Sequence, residues 1–449
     1  MDMLTGFYNA FSSFTDWVWG IPILIVLVGG GIVLAVVVEG IQFLHLPFIF
    51  KTTLGSLGEK KSSDGISPLK GMIAALSATI GTGNIVGVGT AIAMGGPGAL
   101  FWMWVCGFMA MGIKYSEVTL SCVYRQPDGK GGYKGGPFMY IRDGVKSKGM
   151  AVLFGIMMLV CLSLICSVHS SAITSNLASI GVPSIVSCIV MAAFIIIVIW
   201  GGMRTLVKIT DKLVPVMGVL YLILALIVII ANIGNIGTVF VSIFEGAFSG
   251  WAAVGGFTGA TIATTIRYGL ARGVFSNDAG LGLSATVQSQ MENIGCPAKQ
   301  GSWAVIETFL DTIVICTITG FVILFSGTWQ SGGTGATLTT GAIGEVVGTP
   351  GQVLAIICLF LFGLSSLITD AEGVRLQAVS MFGSYGIGRG FQIVVLILVI
   401  LGSLADISTV FVFADFANAI ILVINIAAML MLSKVLRKET QEYFKKKNS

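Results

Sequence analysis

Windows of about 20 apolar residues, the length of helix that crosses a hydrocarbon core, recur along this chain and predict eleven spans. They cover 20–44, 69–94, 98–122, 150–176, 184–202, 210–233, 257–290, 303–326, 351–382, 391–405 and 412–434. Segments 257–290 and 351–382 are too long and too interrupted for simple spans. Residues 1–19 read as an amphipathic lead-in helix. Segment 236–256 reads as a Gly-rich surface stretch with a short helix in VFVSIFEGAF, and 327–350 as a flexible or loosely helical loop.

One span departs from the pattern. Residues 76–90, LSATIGTGNIVGVGT, place Gly81, Gly83, Gly87 and Gly89 among Ser77, Thr79, Thr82 and Asn84. Glycine lowers the cost of leaving a helix by about 1 kcal/mol relative to alanine. Backbone groups freed inside a membrane must be buried in protein, line a wet cavity or hold a ligand. Small residues of this kind also serve close helix packing; the Thr-Gly-Asn core favours a helix broken at a binding site. Five spans later GLARGVFSNDAGLG, 269–282, repeats the signal. Its alternative is a loop at 276–280 between two shorter helices, but six more apolar residues follow before polar chain. Paired interruptions are the sequence pointer to an inverted repeat with a midplane site. An odd offset gives the halves opposite topology. The expected organisation is a single membrane transport domain over 1–449: 1–68 as lead-in and extra helix, 69–235 and 236–437 as the two repeats, and 438–449 as a basic tail.

Composition narrows this reading. The 449 residues are 55% hydrophobic and 10% charged, with mean hydropathy +0.94, so an all-α polytopic membrane protein without a soluble domain is expected. Under this span count 22 of the 25 Lys and Arg fall on one side. That bias puts the N-terminus outside and the C-terminus in the cytoplasm. The basic residues lie in short loops, which excludes a nucleic-acid patch. Asp2 and Asp16 replace a basic n-region, so no removable signal peptide is expected. Eight scattered cysteines without a C-x-x-C pair read as packing residues. Two histidines, His45 and His169, exclude a histidine-rich metal site. No HExxH motif, catalytic dyad or nucleotide loop points to an enzyme.

Four stretches carry a resemblance: IGTGNIVGVGTAIAMGGPGALFWMW (80–104), GGPFMYI (135–141), GLARGVFSNDAGLG (269–282) and ETFLDTIVICTITG (307–320). In this order they resemble the alanine/glycine:cation symporters, also called sodium:alanine symporters, of the amino acid–polyamine–organocation superfamily. The resemblance implies a leucine-transporter-like (LeuT-like) five-plus-five inverted repeat with one extra N-terminal helix. It also implies sodium-coupled uptake of alanine or glycine across a prokaryotic cell membrane by a functional monomer. Sodium is then co-transported rather than a fixed cofactor. The N–H groups around Thr82, Gly83 and Asn84 would meet the substrate carboxylate at a positive helix end. Carbonyls near Thr79, Ile80, Phe275 and Ser276 would accept from the ammonium. One sodium would take carbonyls of Ser77, Ile80 and Phe362 and hydroxyls of Ser365 and Ser366; a second site would lie near Thr79, Asn84 and Ser276.

The chain departs from that family in two places. His169, within SLICSVHSSAITSN, stands where a Gln is usual, and LITDAEG (367–373) replaces an aromatic-rich stretch. His169 is either substrate-facing or a packing residue.

Ionisable residues inside spans are functional hypotheses by default. Arg272 is expected to pair with a carboxylate such as Asp415 or Asp311, as a structural or gating pair. Lys114 and Glu117, three apart, read as a mutual pair. Asp370 and Glu372 read as the inner end of their span, and Phe101, Trp102 and Trp104 as an interfacial anchor. The rivals to sodium symport are proton coupling, exchange and, in another class, a channel.

Overall fold

The computed structural model describes residues 2–53, 55, 67–129, 132–249, 261–292, 294–331, 335–403 and 407–445. Helix α1, Asp2–Val18, turns at Trp19 and Gly20 into a further helical run; together Gly6–Val37 are long and apolar enough to span a membrane. A π-helical stretch, Ile25–Gly29, interrupts it. Helix α2, Pro68–Thr79, starts with a proline in its first turn and a Ser67 side chain that accepts from the Lys70 N–H, two signals that fix a helix start. After a break at Ile80–Thr82 the chain resumes as α3, Gly83–Gly95, its axis bent by 46°.

Helix α4 is Gly98–Val123, and a small antiparallel ribbon, β1 Gln126–Pro127 with β2 Tyr133–Lys134, follows it. Next come α5, Lys148–Ala178, and α6, Ser184–Ala231. Gly202 divides α6 with φ 60° and ψ −159°, a conformation that L side chains avoid. Then come α7, Ile236–Ser249; α8, Ile262–Asn277; α9, Leu283–Gln288; and α10, Pro297–Ser326. The last helices are α11 Ala336–Val347, α12 Thr349–Phe382, α13 Tyr385–Gly402, α14 Ile407–Met431 and α15 Ser433–Lys445. Among the described residues eight helices are long and apolar enough to cross a membrane, and the bent α2–α3 pair makes a ninth.

Lipid-facing positions stay apolar: Trp200 and Val36 are each 75% exposed. The centre is built on α12, where every residue from Phe362 to Ser380 is buried. It packs against α5 and α6, and α5 in turn packs against α14.

Several expectations change. Segment 351–382 is not interrupted; α12 runs unbroken through it. Its glycines serve close packing, since a Cβ on Gly363 would lie 2.7 Å from Ile173 Cγ1 and one on Gly373 2.2 Å from Leu283 Cδ1. Segment 327–350, expected to be flexible or loosely helical, is helical over much of its length, and regularly so, in α11. Residues 250–256 of the surface segment lie outside the described residues. Lys114 does not pair with Glu117: its Nζ is 2.7 Å from Glu307 Oε1 on α10 and 2.5 Å from Ser284 Oγ on α9. Glu117 instead accepts from the Asn425 amide. Phe101, Trp102 and Trp104 pack their rings on Phe244 and Phe248 of α7.

Candidate functional site

The two interrupted segments meet in the interior. Helix α2 stops at Thr79, and Ile80, with ψ 86°, carries the chain out of helical geometry. Asn84 folds back over the break, its Oδ1 accepting from the Gly81 N–H at 2.8 Å. The second break runs from Asp278, in the left-handed region at φ 55°, to Gly282 at φ 88°. Gly83 passes directly against it: an added Cβ would lie 2.8 Å from Ser276 Cα and 3.2 Å from the Phe275 carbonyl oxygen.

Asp311 fastens this crossing. The π-helical winding over Phe309–Cys316 carries Asp311 and Thr312 adjacent on α10; such bulges recur at functional sites. The Asn84 amide donates to Asp311 Oδ1 at 2.7 Å, and the Ser276 and Thr312 hydroxyls donate to Oδ2 at 3.0 and 2.7 Å. Asn84 also donates to Ser276 Oγ at 3.1 Å. All four side chains are buried. A buried carboxylate with no ion-pair partner among the described residues, grouped with the Ser276 and Thr312 hydroxyl oxygens, supplies oxygen ligands of the kind a hard cation takes.

A second cluster of oxygens lies at the end of α2. Ser366 Oγ donates to the Ala78 carbonyl at 2.8 Å, and Ser365 Oγ is 3.1 Å from the Ser77 carbonyl and 2.8 Å from that of Phe362. Ser77 Oγ is 2.7 Å from Thr369 Oγ1. Gly81 is required here, because a Cβ would stand 2.0 Å from Ser366 Oγ. The structure therefore brings together Ser77, Phe362, Ser365 and Ser366. The carbonyl that the Ser365 and Ser366 hydroxyls meet beyond those of Ser77 and Phe362 is that of Ala78. Thr79 bonds back within its own helix, to the Leu76 carbonyl at 3.3 Å.

His169 reaches the first break from α5. Its Nδ1 is 2.7 Å from Thr82 Oγ1 and its Nε2 3.0 Å from Asp370 Oδ2 on α12. Asp370 is linked to the break through His169, while Glu372 pairs with Arg375. Phe275 lies beyond His169, its ring centroid 6.3 Å from the imidazole and 5.1 Å from Phe411.

Arg272 pairs with Asp415, not Asp311, and lies 4.4 Å from the Phe411 ring centroid. The Trp19 indole donates to the Asp415 carbonyl at 2.9 Å. Thr90, Asn176, Arg267, Arg272, Phe411 and Asp415 help line a cavity of about 510 Å³. That lining includes neither Thr82 nor Ser276; Phe411, in the lining, packs on Phe275, the residue before Ser276.

Sequence reasoning missed the position of Asp311 and the cluster of Lys114, Ser284, Glu307 and Gln288, in which Gln288 Nε2 donates to Glu307 Oε2 at 2.7 Å. The available signal was an acid inside an apolar span, within the stretch ETFLDTIVICTITG.

Residues 4–449 match the Sodium:alanine symporter family model. An uncharacterized transporter, YflA, of Bacillus subtilis is 36% identical over 436 residues, covering 96% of this chain and 92% of that one. The sodium/alanine symporter AgcS of Methanococcus maripaludis is 34% identical over 447 residues, covering 97% of each. The crystal structure of MhsT in complex with L-phenylalanine superposes with a TM-score of 0.62 at 17% identity, covering 83% of this chain and 90% of that one. This likeness carries the fold alone: a nearly all-helical membrane architecture with a LeuT-like neighbour. With a family match along almost its whole length and a transporter relative at 34% identity, the chain belongs to the sodium:alanine symporter family.

Proposed function

We propose that this protein is a secondary active transporter that carries a small neutral amino acid, alanine or glycine, into the cell together with sodium by alternating access. The observation that carries the reading is the buried crossing of two broken helices, Gly83 against Ser276, with Asp311 beneath it. Unwound segments expose N–H and carbonyl groups that match the two charges of an amino-acid head. In this reading Thr82, Gly83 and Asn84 face the carboxylate, and Thr79, Ile80, Phe275 and Ser276 face the ammonium. His169 borders the pocket. Sodium is held between α2 and α12 by Ser77, Phe362, Ser365 and Ser366, with Ile80 or Ala78 supplying a further carbonyl. A second sodium lies near Asn84, Ser276 and Asp311. Arg272 and Asp415 form an outer gate.

The same reading takes eleven spans, dividing α6 at Gly202 and joining α8 to α9 as one broken span. Residues 69–235 and 236–437 become inverted repeats, with the N-terminus outside, the C-terminus cytoplasmic and one chain as the functional unit in a prokaryotic cell membrane. One net charge moving inward at 100 mV contributes about 2.3 kcal/mol, which sustains roughly 50-fold accumulation of a zwitterion.

The test is uptake into proteoliposomes. Alanine or glycine should accumulate against its gradient when sodium is outside, and accumulation should cease when choline replaces sodium at fixed pH. Because backbone groups read both charges of the head, selectivity rests on volume, so serine should compete and tryptophan should not. Uphill uptake that persists in choline would overturn sodium coupling. Saturable uphill accumulation would exclude a channel.

A further inference from the structure

His169 has both ring nitrogens engaged, Nε2 with Asp370 Oδ2 at 3.0 Å and Nδ1 with Thr82 Oγ1 at 2.7 Å. All three residues are buried. A carboxylate only accepts hydrogen bonds, so in the neutral ring the hydrogen sits on Nε2 and Nδ1 is an acceptor. The Thr82 hydroxyl must then donate to Nδ1. That commits its one hydrogen and leaves none for a ligand in the break. One added proton on the His169–Asp370 pair reverses this arrangement. Whether the pair becomes imidazolium with carboxylate, or Nδ1–H imidazole with carboxylic acid, Nδ1 is now a donor. Thr82 accepts from it, and its own hydrogen is released toward the break.

We infer that His169 is a proton-binding residue that acts through Thr82: protonation of the His169–Asp370 pair turns the Thr82 hydroxyl into a donor for the carboxylate of the bound amino acid. This rests on the reading above that Thr82 borders that carboxylate. Proton and substrate then strengthen each other's binding by the same factor, as linkage requires, and transport becomes proton-sensitive as well as sodium-coupled.

The surrounding charges leave His169 as the group that reports to Thr82. Glu372 and Arg375 on α12 pair with each other, and Asp415 on α14 is taken by Arg272 of α8. Asp278 in the second break lies within electrostatic reach of Asp370 and Lys114. Cys161 and Cys166 on α5 itself lie within reach of Asp370. Helix α13 meets α5 through the carbonyls of Leu398 and Val399, which accept from Ser167 and Ser170.

The chain has two histidines, His45 and His169, so ring-labelled histidine gives two sets of NMR resonances, and His45→Gln assigns them. Alanine affinity is measured on the full-length protein in saturating sodium from about pH 5.5 to 8, the range in which histidine titrates. Wild type is expected to bind alanine roughly tenfold more tightly at the low end, the worth of a hydrogen bond to a charged group. Alanine should move the His169 titration to higher pH by about one unit per tenfold. His169→Gln has no ring nitrogen to pass a proton change on to Thr82 and should bind with one affinity across the range. Thr82→Val should lose the pH dependence while His169 still titrates. Wild-type pH dependence retained in His169→Gln overturns the inference. So does a His169 resonance that titrates identically with and without alanine, a measurement that needs no variant at the site. Absence of alanine and glycine binding at every pH would instead overturn the functional reading beneath it.

Discussion

Gly83 and Ser276 cross backbone to backbone, so closely that a Cβ on Gly83 would lie 2.8 Å from Ser276 Cα. Neither side of that contact is a flexible chain end that can swing aside. Gly83→Ala should therefore destabilise the crossing by about 1–3 kcal/mol, the usual cost of overpacking. Gly83→Leu should insert and purify yet bind no alanine. Calorimetry on the purified leucine variant checks this; wild-type affinity would remove Gly83 from the site.

Ser365 and Ser366 direct their hydroxyls at carbonyls that the end of α2 leaves free. If sodium occupies that cluster, it ties α12 to the broken segment. Ser365→Ala combined with Ser366→Ala should raise the sodium concentration for half-maximal uptake and weaken sodium-dependent alanine binding, within the roughly 5–150-fold range of such couplings. Any sodium-independent affinity should survive. An unchanged sodium curve would move the coupling ion to Asn84, Ser276 and Asp311.

Asp311 receives hydrogen bonds from Asn84, Ser276 and Thr312. Asp311→Asn keeps its size and one acceptor oxygen but removes the charge. Sodium dependence should shift by roughly tenfold or more, the scale of a charge-assisted contact. Alanine binding titrated against sodium measures the shift. A curve that superposes on wild type would make the acid a structural clasp only.

Lys114 and Glu307 are fully buried and paired at 2.7 Å. Lys114→Met leaves Glu307 charged without its partner and should cost about 3–5 kcal/mol. Lys114→Met with Glu307→Leu should recover much of that loss, because the uncompensated charge goes too. Thermal unfolding of the two singles and the double gives the coupling, and simple additivity would show the pair to be independent.

The breaks were legible because glycine, threonine and asparagine have no ordinary place in a lipid-facing helix. The same reasoning misread α12, where Gly363 and Gly373 make room for Ile173 and Leu283; composition does not distinguish a glycine that opens a helix from one that admits a neighbour. Spacing suggested Glu117 for Lys114, since local periodicity sees only its own helix. The partner comes from α10, 193 residues along the chain. The settings of His169 and Asp311 were invisible for the same reason, for the imidazole joins positions 87 residues before it and 201 after it.

Trp19 donates its indole N–H to the backbone of Asp415, the acid that holds Arg272. The leading helix, although outside the proposed repeats, is therefore fastened to the wall of the cavity. Deletion through residue 19 is a lesion at the cavity wall, not the trimming of a loose end, so altered uptake in a shortened protein should be traced first to Asp415.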